Sequence, residues 1–300
     1  MRLLKATAKT RRTQRVAKVS VKTLKLVCQI TKLPITALST VSAVTGYVLM
    51  RRVLDPGVAT VCAGVLLLAM GACALNQVQD RRIDGLMERT RSRPLPSGLL
   101  RPAAALGLGL GLIVSGFLVL WLCHSALAAL IGIFAAVWYN GVYTYLKRVS
   151  AFAVVPGALI GALPPAIGWV AAGGSPTDPR LIALCFLFFI WQVPHFWLLL
   201  FTFGPDYANA GLPSLTRIFS LRQLAGLSFI WMLAASASVL LLPLYGLTSS
   251  AWVSLGLVLC GFWLAGAASN LLRPTPRPAF RAINLYVLCV MALLVTDALL

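Results

Sequence analysis

Residues 58–75 read VATVCAGVLLLAMGACAL, eighteen positions without one charged side chain. A helix needs roughly 20 apolar residues to cross the hydrocarbon of a bilayer. Only helices and closed barrels satisfy their backbone groups there. The apolar runs of this chain are long and continuous, without the two-residue alternation of barrel strands, so the expectation is helix throughout. Composition agrees: 59% of the 300 residues are hydrophobic and 11% charged, against about 45–50% and about 25% for a soluble domain. Nine spans follow, at 33–50, 58–78, 103–122, 125–144, 153–172, 180–200, 223–245, 250–270 and 280–298. The fold class is therefore all-α and polytopic.

Prolines 34, 156, 164, 165 and 194 fall in or beside these spans, where proline marks kinks that line cavities. Gly107, Gly111 and Ser115 lie four apart, a small-residue stripe expected to pack closely against another helix. The seven cysteines form no CxxC pair and sit mostly in spans, which reads as small apolar filler. His124 and His195 are too far apart in sequence to suggest a local metal pair.

A net charge of +19 would suggest nucleic acid, but its distribution argues against that partner. With the N-terminus cytoplasmic, 23 of the 26 lysines and arginines fall on the cytoplasmic side, leaving only Arg51, Arg52 and Arg180 opposite. That asymmetry is the positive-inside rule, and the remaining attraction is to the anionic surface of the lipid bilayer. The first 32 residues hold ten basic side chains and no acid, without an apolar core of signal-peptide length. A mitochondrial transit peptide and a basic helix lying on lipid both fit this segment. The bacterial inner membrane is the preferred setting, with 1–32 as a cytoplasmic segment and 33–300 as the membrane domain.

The acids are the scarce resource, seven in all, and three of them (Asp80, Asp84, Glu88) stand in NQVQDRRIDGLMERTRSRPLPSG, residues 76–98. Asn76, Asp80 and Asp84 recur every four residues and so share one helical face; Glu88 continues the line if the helix reaches it. Hard oxygen ligands in this arrangement suit Mg²⁺, which is usually held by one or two carboxylates together with substrate phosphates. The arginines that follow, Arg89 and Arg93 among them, suit phosphate oxygens. A solvated loop tied by salt bridges is the plainer alternative. Carboxylates and arginines beside a greasy span point to a magnesium-bridged diphosphate carrying an apolar tail.

This segment resembles the first aspartate-rich motif of the UbiA superfamily of intramembrane prenyltransferases, and the resemblance extends over nearly the whole chain. It implies a nine-helix bundle around a central cavity. It also implies Mg²⁺ on Asn76, Asp80 and Asp84, with Arg89 and Arg93 on the diphosphate. Further stretches resemble the branch that farnesylates heme. In YNGVYTYLKR (139–148), Tyr143, Lys147 and Arg148 stand at the cytoplasmic face, the two cations as diphosphate clamps or as plain topological anchors. WQVPHFWLLL (191–200) brings Trp191 and His195; a histidine inside a span is a functional candidate, although a packed core histidine fits the residues alone. GPDYANAGLPSL (204–215) supplies Asp206 as a single second-site carboxylate, with Tyr207 beside it, where wider relatives carry DxxxD.

The resemblance thus implies farnesyl diphosphate and heme b as substrates, heme O as product, and a heme-modifying oxygenase or terminal oxidase assembly downstream. Asp80, Asp84, Lys147, Asp206 and His195 are the implied catalytic groups. Asn76, Arg89, Arg93, Tyr143, Arg148, Tyr207 and Trp191 are the implied substrate contacts, the rings of Tyr143 and Trp191 facing a developing cation. Two other functions fit the acid motif: prenylation of another acceptor such as a quinone precursor, and carriage of heme or isoprenoid without chemistry.

Overall fold

The computed structural model describes residues 24–273 and 279–300. Most of the basic leading segment, residues 1–23, lies outside these. Among the described residues nine helices are long and apolar enough to cross a membrane: α1 (Leu33–Arg51), α2 (Gly57–Asp84), α3 (Pro102–Cys123), α4 (Ala126–Leu146), α5 (Val154–Ala171), α6 (Pro179–Asn209), α7 (Leu221–Leu244), α8 (Ala251–Leu272) and α9 (Phe280–Leu299). All nine expected spans are present. Two run well past their apolar cores. The additional turns of α2 carry Asp80 and Asp84, and those of α6 carry Asp206 and Tyr207.

Successive helices are neighbours, α1 also packs along α5, and α9 returns to α1 and α6 to close the bundle. Close approach is set by glycine. A Cβ on Gly168 of α5 would lie 1.8 Å from the Ala43 carbonyl oxygen of α1, and one on Gly116 of α3 would lie 2.6 Å from the Gly64 carbonyl oxygen of α2. Gly109 meets Gly71 in the same way. The stripe of Gly107, Gly111 and Ser115 faces outward instead: all three are exposed, and nothing lies within 4 Å of a Cβ added to either glycine. The small residues that make the close contact are Gly109 and Gly116, one helical face away.

Two irregularities shape the interior. Residues Trp138–Tyr143 of α4 form a π-helical turn, a local widening that recurs at functional sites. It stacks the rings of Tyr139 and Tyr143 with centroids 5.9 Å apart. In α5 the backbone is interrupted at Ala158, just past Gly157. A side chain on Gly157 would come within 2.5 Å of the Tyr143 ring, so this glycine is what lets the ring settle there. All seven cysteines are unbridged.

Candidate active site

A cavity of about 370 Å³ runs up the bundle from the end where α2 and α6 overrun. Its walls are apolar, with Val65, Leu68, Ala69, Ala72 and Ile167 deep inside and Ala135, Ala136, Phe196 and Leu200 along its length. Its mouth is charged: Lys32, Asp80, Asp84, Arg89, Arg93 and Lys147 all border it.

The face formed by Asn76, Asp80 and Asp84 is buried at 2%, 5% and 5% exposure, which is costly for carboxylates unless they are paired. Each is. The Asp80 carboxylate accepts from Lys147 Nζ on one oxygen and from Arg148 Nη2 at 3.2 Å on the other. Asn76 Nδ2 donates to the same Asp80 at 2.9 Å and to Thr144 Oγ1 at 2.9 Å. Arg93 Nη1 reaches both oxygens of Asp84, at 2.8 and 2.7 Å. Across the mouth, Asp206 Oδ2 accepts from the Arg89 backbone N–H at 3.2 Å, while the Arg89 guanidinium lies 4.9 Å from the centroid of the Phe203 ring. Tyr143 and Tyr207 complete the rim.

The helix carrying the acids stops at Asp84, so Glu88 leaves the line; it is exposed and pairs with Arg91. Arg148 sits behind Asp80 rather than on the cavity wall and also donates to the Gln79 carbonyl at 3.0 Å. Trp191 and His195 lie off the cavity lining as well. The Trp191 indole donates to the Ile283 carbonyl of α9 at 2.8 Å, and the His195 ring packs between Trp191 and Phe280, with centroids at 4.8 and 5.0 Å. On α6 it is the adjacent stripe, Gln192, Phe196 and Leu199, that lines the cavity.

Lys32 belongs to the mouth although the sequence placed it in the basic leading segment. Gln77 Nε2 donates to the carbonyls of Gln29 and Ile30, at 2.8 and 2.9 Å, and pins the chain there. The backbone then turns through a left-handed conformation at Lys32 (φ 51°). This delivers Nζ to Asn76 Oδ1 at 2.9 Å, beside the Tyr139 hydroxyl at 3.4 Å. Burial pulls the Lys32 ammonium below the ordinary lysine range, and the nearby Arg93 and Lys147 charges lower it further. The only sequence signal was a lysine two residues before Pro34.

The mouth therefore gathers five cations, Lys32, Arg89, Arg93, Lys147 and Arg148, around three carboxylates. The surplus of positive charge suits a polyanion. Among the described residues no three His, Cys, Asp or Glu side chains converge closely enough to hold a metal by themselves. Two carboxylates one turn apart do fit Mg²⁺, which takes the rest of its ligands from water and phosphate; the Asn76 oxygen is turned to Lys32 and Tyr139.

The fold is thus an all-helical bundle of membrane-spanning length with a charged mouth over a long apolar cavity. The UbiA prenyltransferase family model matches residues 37–290. The chain belongs to that family. It is 44% identical over 248 residues to the protoheme IX farnesyltransferase of Geobacter sulfurreducens, covering 82% of this chain and 87% of that one. It is 36% identical over 259 residues to the protoheme IX farnesyltransferase of Oleidesulfovibrio alaskensis, covering 86% and 91%. Among solved structures, a UbiA homolog from Aeropyrum pernix K1 superposes with a TM-score of 0.72 at 19% identity, over 88% of this chain and 98% of that one. A UbiA homolog from Archaeoglobus fulgidus bound to GPP and Mg²⁺ gives 0.69 at 11% identity, over 91% and 98%.

Proposed function

We propose that this chain transfers the farnesyl group of farnesyl diphosphate to a vinyl group of heme b, giving heme O. The observation that carries the donor half is the mouth itself, where Asp80 and Asp84 meet Lys147, Arg148 and Arg93 at the polar end of an otherwise apolar cavity. The acceptor half is supported by the similarity to the two farnesyltransferases, each matched over most of its length.

In this reading Asp80 and Asp84, with Asn76 and Asp206, hold Mg²⁺, and Arg89, Arg93, Lys147 and Lys32 hold the diphosphate. Bound there, Mg²⁺ neutralises the charge that develops on the leaving diphosphate. Arg148 orients Asp80 from behind. The chain keeps the tail among apolar walls that exclude bulk water, which would otherwise hydrolyse the activated donor. The stacked Tyr139–Tyr143 pair presents π faces near the diphosphate, where positive charge develops on the first prenyl carbon. That carbon leaves the diphosphate oxygen and bonds to the terminal vinyl carbon of the heme. Water adds to the remaining carbon and releases a proton. Trp191 and His195 support the α6–α9 contact and act on the reaction only through it.

We place the mouth and the leading segment on the cytoplasmic face of a bacterial inner membrane, because 23 of 26 basic residues then lie on that side. The product passes to a heme-modifying oxygenase or a terminal oxidase. A competition assay tests the acceptor: protein, farnesyl diphosphate and Mg²⁺ with heme b and 4-hydroxybenzoate together. Farnesyl on the heme alone is the expected result; farnesyl on the aromatic acid alone would replace heme as acceptor.

A further inference from the structure

The far end of the cavity has a defined composition and a defined depth. Leu68 of α2 and Ile167 of α5, 4% and 3% exposed, line it together with Gly132 of α4. These three residues meet: a Cβ on Gly132 would lie 2.6 Å from Leu68 Cδ1, 3.4 Å from Leu120 Cδ1 and 3.9 Å from Ile167 Cδ1. Val65, a turn deeper on α2 and 2% exposed, closes the cavity behind Leu68, and past it Leu120 and Ala129 are fully buried.

Depth follows from helix geometry. Val65, the deepest α2 residue on the cavity wall, is fifteen residues before Asp80, about 22 Å at 1.5 Å per residue. Gly132 is fifteen residues before Lys147 on α4, about 22 Å by the same rise. An extended chain advances about 1.1–1.2 Å per bond, so a four-bond isoprene unit takes about 5 Å and three take about 15 Å. Three units and a diphosphate fill the distance from mouth to floor, and a fourth unit does not fit.

We infer that Leu68 and Ile167, meeting over Gly132, form a floor that sets the length of the isoprenoid accepted at three units. This rests on the prenyl-diphosphate reading above and adds to it the residues that choose among donors. The side chains act by volume. Removing the Leu68 methyls deepens the cavity. Adding a methyl at Gly132 raises the floor, because it would occupy cavity wall 2.6 Å from a terminal methyl of Leu68, with Leu120 3.4 Å away on the packed side.

The test is a binding measurement on purified full-length protein with Mg²⁺, using the unreactive geranyl, farnesyl and geranylgeranyl thiolodiphosphates and no heme. Wild type is expected to bind the farnesyl probe at least about tenfold more tightly than the geranylgeranyl probe, since a fourth unit cannot be buried. Leu68→Ala should bring those two within about threefold. Gly132→Ala should shift preference toward the geranyl probe. Ile167→Val enlarges the floor more gently and should move the ratio in the same direction as Leu68→Ala, whether or not that variant folds. Ratios unchanged in Gly132→Ala and Ile167→Val would overturn the floor. Parallel heme farnesylation by wild type separates the two ideas: length discrimination without heme product retains the floor and sinks the proposed acceptor, and heme product with variant-independent length preference does the reverse.

Discussion

At the residue scale, the mouth is a set of buried ions whose partners are other ions, so single changes there should act through chemistry more than through folding. Asp80 is the centre, touched by Lys147, Arg148 and Asn76. Asp80→Asn keeps the shape and removes the charge. Transfer is expected to fall by about a hundredfold or more, with circular dichroism unchanged. Lys32→Met should raise the KM for farnesyl diphosphate by about tenfold, the loss of one charge-assisted contact, and an unchanged KM would remove Lys32 from the mouth. A different cluster sets pH dependence at the opposite end. His124 Nδ1 donates to the Ala171 carbonyl at 3.2 Å and its Nε2 meets the Thr60 hydroxyl at 2.9 Å, beside Tyr47 and Asp55. Burial lowers the His124 pKa from 6.5, against the backbone bond to Ala171 and the Asp55 charge. Its contribution to stability is therefore complete above about pH 6.5 and shrinks as pH falls below it. Asp55 is held below its ordinary value by the Tyr47 hydroxyl and by Arg51, so its contribution is present above its unfolded pKa of 3.8 and is lost only in stronger acid. Melting temperature should drop between pH 7 and 5, and His124→Gln should flatten that slope.

At the scale of elements, the helices were legible because their uncharged runs match the bilayer, and the ends that were missed were missed for the same reason. Hydropathy stops where polar residues begin. The last turns of α2 and α6 are polar because they carry Asp80, Asp84, Asp206 and Tyr207. The four-residue register of Asn76, Asp80 and Asp84 placed them correctly on one face. Lys32 was absorbed into a tally of basic residues, since no local pattern reveals a left-handed turn pinned by Gln77. The motif around His195 was visible, but a motif does not reveal which way its side chains face. Helix contacts show the same limit. Spacing singled out Gly107 and Gly111, whereas the structure uses Gly109 and Gly116. Gly168→Ala and Gly116→Ala should each destabilise by about 1–3 kcal/mol, as overpacking does, while Gly107→Ala and Gly111→Ala should cost nothing in a detergent melt. Equal losses at all four positions would contradict the contacts described.

At the scale of the whole molecule, the bundle is a closed ring fastened at the end away from the mouth. Asp297, 3% exposed, accepts from the backbone N–H groups of Ser249 and Ser250, both at 2.7 Å. Arg52 stands 3.7 Å from the same carboxylate and donates to Ser249 Oγ at 2.8 Å. This joins the end of α9 to the α7–α8 connection and to α1. Asp297→Ala leaves those groups unpaired and should cost about 2–4 kcal/mol, read as a lower melting temperature with the KM for farnesyl diphosphate unchanged. The cavity lies between that fastening and the charged mouth, so in the proposed reaction anchoring the tail and activating the diphosphate would fall to opposite ends of one enclosure. The most direct measurement of this account is the mass of the pigment extracted after wild type is incubated with heme b, farnesyl diphosphate and Mg²⁺, beside an Asp80→Ala control. The account predicts a heme heavier by one farnesyl group and one hydroxyl, absent without Mg²⁺ and absent in the control. Heme b recovered unchanged from intact wild type, or a farnesylated heme formed equally well by the control, would contradict it.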